Sequence, residues 1–394
     1  MAEDSGRLYA IVRQNLKLKG GVKRMRSEKV RVGVVGLGMG RVHLKNLKDM
    51  EEVEVVAICD INEELLKRAG EEFQVRKLFT DFEKFVTEDM DAVFICTPHF
   101  LHHQQVITAL RSNKHVFCEK PLAITVREAE EMVLVANEVG KEIAVGFQRR
   151  TNPKDRLVKE LISELGEISR ALYETCGLRT QAYYDSGAWR GTWWGEGGGV
   201  LINQAVHDLD VCQWWMGMPK YVLGWAETFA HKIETEDLVS AIFVYENGAQ
   251  MLFQASLVDH PSLTRFEVSG EMGCLIYDGN IRLAKAEASI LDFISTCKEA
   301  WGRPPEVRWQ EVQPAQESWG HAELVKDFIS SIVEGRKPLV SGEEGIKSVE
   351  LVNAIIMSTL LRQPVELPID REGYDALIEE LRSGKRSIPR RPAV

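Results

Sequence analysis

Residues 31–43 read RVGVVGLGMGRVH. A short β-branched run ends in three alternate glycines, Gly36, Gly38 and Gly40, and passes at once into a stretch with helical periodicity. Glycines at such a strand-to-helix turn let the main chain approach a pyrophosphate, and the free N–H groups at the helix N-terminus meet its charge. The reading places Gly36, Leu37, Gly38, Met39, Gly40 and Arg41 at a phosphate-binding turn. A second run, residues 53–59, leads to Asp60, 24 residues after Gly36, where a carboxylate accepts hydrogen bonds from an adenosine ribose. That charge repels a 2′-phosphate, so NAD is expected in preference to NADP. Taken alone, Asp60 also reads as an N-cap for the helix that follows.

Outward from this turn, short apolar runs at 31–36, 53–59, 92–96, 115–118 and 143–145 alternate with helix patterns at 38–48, 62–73, 101–111 and 126–139. That alternation predicts βαβ units and a parallel, doubly wound sheet over residues 29–150. After Pro153 the rhythm changes to longer alternating strands at 170–178, 221–228, 238–245, 249–258, 265–269 and 273–277. Asn247-Gly248 signals a type I′ hairpin between two of them. One helix is expected at 203–215, and helices return at 321–334 and 344–361. The fold class is therefore α/β: an N-terminal doubly wound Rossmann domain, then an α+β domain over 151–394 with a large, mostly antiparallel open sheet. Residues 1–28, basic and without strand pattern, read as a mobile extension, with Met25 as an alternative start.

Composition narrows the function. The 394 residues contain 44% hydrophobic and 27% charged residues, which excludes collagen-like and wholly disordered readings. With 49 basic against 59 acidic residues the net charge is −10, which speaks against a nucleic-acid-binding face. The seven scattered cysteines never form a C-x-x-C pair and read as buried apolar residues in a reducing compartment. No apolar run is long enough to span a bilayer and no secretory h-region is present, so no membrane partner and a cytoplasmic location are expected.

Two further strand ends carry chemistry-bearing residues: Thr97-Pro98-His99-Phe100-Leu101-His102 and Cys118-Glu119-Lys120-Pro121. Both fall at the carboxyl edge of the parallel sheet, where ligands bind in such folds. Later, Gly197-Gly198-Gly199 enters a helix on which Asn203 and His207, four apart, share one face. Tyr184, Trp189 and Trp193 lie on the approach to that glycine run, Trp214 and Trp215 read as core, and His321 is either a helix-start residue or a substrate contact. His207, Asp208 and Asp210 lack metal-site geometry on a helix and the histidines at 99, 102 and 103 lack zinc spacing, so no metal is expected.

In combination these residues resemble the Gfo/Idh/MocA oxidoreductases, the glucose–fructose oxidoreductase and inositol dehydrogenase superfamily. The markers run in family order: the glycine turn with His43, Asp60, Thr97 to His102, Glu119-Lys120-Pro121, Gly146-Phe147-Gln148-Arg149-Arg150, Trp189-Arg190, and the glycine run through Asn203 to His207. The resemblance implies NAD(P)-dependent hydride transfer at a secondary hydroxyl of a sugar, cyclitol or sugar derivative. Lys120 and His207 fall in catalytic positions, with Asn203 orienting a hydroxyl, and Thr97, Pro98, His102, Glu119, Gln148, Trp189 and Arg190 fall beside the cofactor. The chain departs from the family pattern in two ways. Gly36 to His43 is one residue shorter than usual, and Asn203 and Ala205 stand where many relatives have Asp and Gly. Between the two best residues, His207 suits the base and Lys120 the cation, unless a depressed lysine pKa lets Lys120 carry the proton. Alternatives are a redox-neutral NAD-dependent lyase or glycosidase and a non-catalytic NAD-binding regulator. The exposed sheet face further suggests a homodimer or homotetramer.

Overall fold

The computed structural model describes residues 29–315 and 317–392; the basic segment at 1–28 lies outside them. The first half runs β1 (Val30–Val35), α1 (Gly40–Lys48), β2 (Val53–Cys59), α2 (Glu63–Phe73), β3 (Lys77–Phe79), α3 (Phe82–Phe85), β4 (Ala92–Ile95), α4 (His99–Arg111), β5 (His115–Cys118), α5 (Val126–Val139) and β6 (Ile143–Val145). Its six parallel strands take the order β3-β2-β1-β4-β5-β6. Every residue of β4 is fully buried, as strands covered on both faces require. Strand order reverses between β1 and β4, which opens a crevice at their carboxyl ends. The pattern reading missed β3 and α3, because three residues with exposed Lys77 and Leu78 show no alternation.

The second half runs α6 (Pro153–Ile162), β7 (Ile168–Leu178), α7 (Gln181–Asp185), α8 (Val200–Asn203), α9 (Val206–Met216), β8 (Tyr221–Glu227), β9 (Leu238–Val244), β10 (Gln250–Ser256), β11 (Val258–Gly270), β12 (Gly273–Tyr277), β13 (Ile281–Ala286), α10 (Ile290–Thr296), β14 (Val307–Val312), α11 (His321–Glu334), α12 (Gly342–Leu361), β15 (Val365–Glu366) and α13 (Arg371–Arg382). Nine strands form one sheet, β14-β13-β12-β11-β7-β10-β9-β8-β15, antiparallel except where β7 runs parallel to β10 at its centre. Its outer face is open: Tyr221, Leu223 and Trp225 on β8 and Leu252 on β10 are exposed, whereas Val222, Ala226 and Met251 are buried.

The C-terminal helices return to the first sheet. Phe328 of α11 packs edge-on against Phe94 and Phe117. Asn353 of α12 accepts Val126 N–H and donates to Ile124 O, both at 3.0 Å, while Ser358 and Thr359 take the N–H groups of Gly224 and Ala226 on β8. One buried helix thus clamps both sheets.

Two local expectations are corrected. The helix expected at 203–215 is broken: α8 stops at Asn203, Ala205 N–H leaves the regular ladder to reach back to Val200 O at 2.8 Å, and α9 begins at Val206. The 247–248 hairpin is not type I′, since Gly248 has φ +86° but Asn247 is not left-handed. Gly248 N–H instead donates to Tyr245 O at 2.9 Å, giving a three-residue loop whose glycine supplies the bulge.

Candidate active site

At the crevice between β1 and β4 opens a cavity of about 800 Å³, into which the second half inserts the loop before α8 and the start of α9. Its floor is the glycine turn. Gly36 has φ +84°, and a Cβ there would lie 2.5 Å from Cys96 O and 2.7 Å from Thr97 N. At Gly38 a Cβ would meet nothing within 4 Å, so this glycine faces open space. At Gly40 it would sit 2.8 Å from Val34 Cγ1, where α1 packs on β1. Turn, approach and packing are thus all supplied despite the shortened spacing, and the residues fit a dinucleotide pyrophosphate.

Asp60 lines the same cavity and is held ready there: Oδ2 accepts Leu37 N–H at 2.7 Å and Oδ1 accepts Asn62 N–H at 2.8 Å. The N-cap of α2 is Asn62, whose Oδ1 takes Glu64 and Leu65 N–H, so Asp60 keeps its remaining lone pairs for a ligand.

Glu119 and Lys120 project from the end of β5. Glu119 Oε1 meets His43 Nε2 at 2.6 Å, both groups buried. Burial opposes its charge, but His43 and the Lys120 cation hold the carboxyl below its ordinary range. Lys120 Nζ donates to Asn203 O at 2.7 Å and to Asn203 Oδ1 at 3.3 Å. Burial, with Arg190 and Arg179 as further cations, draws this lysine below its ordinary value against the pull of Glu119 and Glu196. Asn203 Nδ2 donates to Glu196 Oε1 and, at 3.0 Å, to Tyr183 Oη, which also accepts from Arg190 Nη1 at 2.6 Å. His207 completes the group. Its ring stands edge-on to Phe147, its Nδ1 is buried without a partner, and burial, then Lys120, Arg149 and His321, hold it well below the ordinary histidine value. His321 lines the cavity too, its pKa lowered by burial.

Of the residues expected from the sequence, Gly36, Gly38, Met39, Asp60, Thr97, Pro98, Glu119, Lys120, Gln148, Trp189, Arg190, Asn203, His207 and His321 converge on this one cavity. Others do not. Arg41 points outward to Glu72. Leu37 is buried and contributes only its N–H to Asp60, while Gly40 is spent on packing. His102 bridges Pro121 O and Thr97 O, each at 2.8 Å, and so joins two loops from behind. Trp193 is buried with Nε1 donating to Glu234 O, and Tyr184 is buried against His231. Their neighbours Trp194 and Tyr183 take the cavity positions, because α7 and the 186–199 loop turn the opposite faces inward. Asp208 and Asp210 are committed to Arg149 and Arg150.

Sequence reasoning also passed over Glu196 and Glu236. Both are fully buried acids behind the glycine run, and a Cβ at Gly199 would lie 1.9 Å from Glu236 O. A triple glycine beside a lone glutamate was the available signal. Of the seven cysteines, Cys176, Cys274 and Cys297 are only partly buried, the others buried as expected. No helix among the described residues is long and apolar enough to cross a membrane.

Residues 30–147 match the model of an oxidoreductase family with an NAD-binding Rossmann fold, and residues 156–276 match the GFO/IDH/MocA C-terminal domain. Relatives by sequence include the myo-inositol 2-dehydrogenase of Thermotoga maritima, 27% identical over 331 residues, which span 80% of this chain and 92% of the relative. The oxidoreductase YrbE of Bacillus subtilis is 26% identical over 349 residues, 86% of this chain and 97% of its own. Among solved structures, the WlbA dehydrogenase of Chromobacterium violaceum, in complex with NADH and UDP-GlcNAcA, aligns with TM-score 0.76 and 27% identity over 89% of this chain and 99% of its own.

Proposed function

The chain belongs to the GFO/IDH/MocA oxidoreductase family, whose N-terminal module binds NAD, and from that premise we propose that it oxidises a secondary hydroxyl of a sugar, cyclitol or sugar derivative. The carrying observation is that one cavity holds both the Gly36–Gly40 turn with Asp60 and the group Lys120, Asn203, His207. The names of its relatives, a myo-inositol dehydrogenase and a dehydrogenase bound to a nucleotide sugar acid, support that substrate class.

NAD, when bound, supplies the hydride acceptor. The glycine turn and Asp60 would hold its pyrophosphate and adenosine ribose, with Thr97, Pro98, Glu119, Gln148, Trp189 and Arg190 along the rest of the cavity. Loss of hydride from a carbinol carbon requires its hydroxyl to give up a proton. Lys120 Nζ directs two N–H bonds at Asn203 O and Oδ1, which leaves one position of its tetrahedral nitrogen for the substrate. In the neutral amine that position is a lone pair, and the lowered pKa makes the neutral form accessible. This favours Lys120 as the base, exchanging the roles expected from the sequence. A protonated His207 would bury an unpaired Nδ1–H next to cations, so His207 serves as a neutral ring hydrogen-bonding the reacting oxygen. Asn203, with both amide ends engaged, orients Lys120 more than the substrate.

We place the protein in the cytoplasm as a homodimer or homotetramer joined through the open sheet face around Leu223 and Trp225. The test of function is a panel of inositols, aldoses, uronates and anhydrosugars incubated with NAD. Stoichiometric NADH from at least one polyol is expected. Bond cleavage without NADH, or no NADH from any member, would overturn the reading.

A further inference from the structure

The two ends of the Asn203 amide differ in chemistry but hardly in size, so the surroundings decide which end faces Lys120. Tyr183 Oη, 3.0 Å from Nδ2, can donate or accept and does not discriminate. Glu196 does. Its side chain is fully buried, its Oε2 accepts Gly191 N–H at 2.5 Å, and its Oε1 accepts Asn203 Nδ2 with Arg190 Nη1 at 4.0 Å. Each carboxylate oxygen faces an N–H donor; burial raises this carboxyl's pKa, but Gly191, Asn203, Arg190 and Lys120 favour the anion, which accepts only and has no use for a carbonyl oxygen at the Nδ2 position. The NH2 end must therefore turn to Glu196 and the Oδ1 end to Lys120.

We propose that Glu196 is a positioning residue that fixes the polarity of the Asn203 amide, so that Lys120 Nζ meets two oxygens of residue 203 and never an NH2 group. With the amide reversed, Nδ2 would oppose the Lys120 ammonium donor against donor and would occupy the lone pair of the neutral amine, so in either form the nitrogen would lose the anchor that aims its free position at the substrate. The inference rests on the reading of Lys120 as the residue that exchanges a proton with the substrate. It also accounts for an amide standing where many relatives carry a carboxylate. Here the negative charge is set one layer back, on Glu196, and the amide passes on its orientation.

The arrangement makes a signed prediction. In Glu196→Gln the new amide has one oxygen for two N–H donors, so either Gly191 or Asn203 meets an NH2 group. In Asn203→Asp two carboxylates face each other across a single hydrogen bond. In the double variant the Gly191, Lys120 and residue 196–203 bonds are restored, with Tyr183 Oη turning from acceptor to donor toward the aspartate. Gly191 N–H reaches Gln Oε1, Gln Nε2 donates to one aspartate oxygen, and the other aspartate oxygen receives Lys120. Each single variant is therefore expected to lose about tenfold or more in kcat/KM on a verified polyol, and the double to regain about tenfold over Asn203→Asp. NAD affinity, measured by fluorescence titration, should stay within about threefold in all of them, because none of these bonds touches the glycine turn.

A second readout needs neither NAD nor substrate: carbamylation of Lys120 by cyanate, followed by peptide mass spectrometry. Loss of the anchor and of a nearby negative charge should speed labelling in Glu196→Gln by about threefold or more, and the double variant should slow it again. If the two single losses simply multiply in the double variant, or if Lys120 labels at one rate in all four proteins, the proposal is overturned. If the wild-type protein oxidises no polyol, the functional reading fails, and the labelling comparison alone decides this inference.

Discussion

Replacing Glu236 by Gln should make stability less dependent on pH, by an amount that the structure sets. Glu236 lies wholly buried behind the glycine run, its Oε1 accepting Gly199 N–H at 2.8 Å and Leu201 N–H at 3.1 Å, its Oε2 without a partner. Burial pushes this carboxyl from 4.5 to about 7, against the backbone N–H groups of Glu236 itself, Gly199 and Leu201 and with the Glu196 charge adding to the rise. Below pH 7 the native state therefore holds a proton that the unfolded chain releases near 4.5, so native stability falls as pH rises through this window. At about 1.4 kcal/mol per pH unit the full window is worth about 3 kcal/mol, most of it between pH 5 and pH 8. Glutamine keeps the acceptor for Gly199 and Leu201 but cannot ionise. The variant should thus gain about 2 to 3 kcal/mol on wild type in going from pH 5 to pH 8. With an unfolding entropy of about 2.1 cal/mol/K per residue, a chain of this length shifts in Tm by about 3 °C for that gain. Scanning calorimetry of both proteins at the two pH values measures it. A Tm difference that is the same at pH 5 and pH 8 would refute the reasoning.

Four further outcomes are expected. Lys120→Met and His207→Ala should each lower kcat by about a hundredfold, the usual worth of a positioned acid–base group. Because burial lowers the Lys120 pKa, oxidation rises with pH through that lowered value; the rise should persist in His207→Ala and vanish in Lys120→Met, and the reverse pattern in pH–rate profiles would exchange the roles. Asp60 should give NAD at least about tenfold over NADP, about 1.4 kcal/mol, with Asp60→Ser narrowing the ratio; equal kcat/KM for the two cofactors in the wild type would contradict this. Light scattering at micromolar concentration should show a dimer or larger, and Trp225→Glu on the open sheet face should shift it toward monomer, whereas a wild-type monomer would end that proposal.

The dinucleotide turn, the parallel doubly wound sheet that follows it and the candidate-site residues at strand ends were legible because each is a local pattern with a fixed physical meaning. Residues 31–43 carry a strand period, a glycine turn and a helix start in sequence, and the turn needs no distant partner to be recognised. Glu119 and Lys120 could be singled out for the same reason, as polar groups at the end of an apolar run, and Asn203 and His207 by their four-residue spacing on the helix that a glycine run opens. Sequence did not show that β7 would lie parallel to β10, that the helix would break after Asn203, or that β13, β14 and β15 would extend the sheet to nine strands. Those features depend on pairings between segments far apart in the chain.

The difference is sharpest within the site. Periodicity tells that adjacent aromatics at 183–184 and 193–194 point opposite ways, but only packing decides which of each pair is buried, and here Tyr184 and Trp193 go to the core while Tyr183 and Trp194 face the cavity. The residue types around the chemistry are thus written in the sequence, since each needs a local turn or strand end to stand on. Their pKa shifts and hydrogen-bond polarity were decided by the tertiary structure, because Lys120 stands 83 residues before Asn203, and only folding brings that lysine to the amide and the buried Glu196 carboxylate in one water-poor space where charge and donor direction become costly to get wrong.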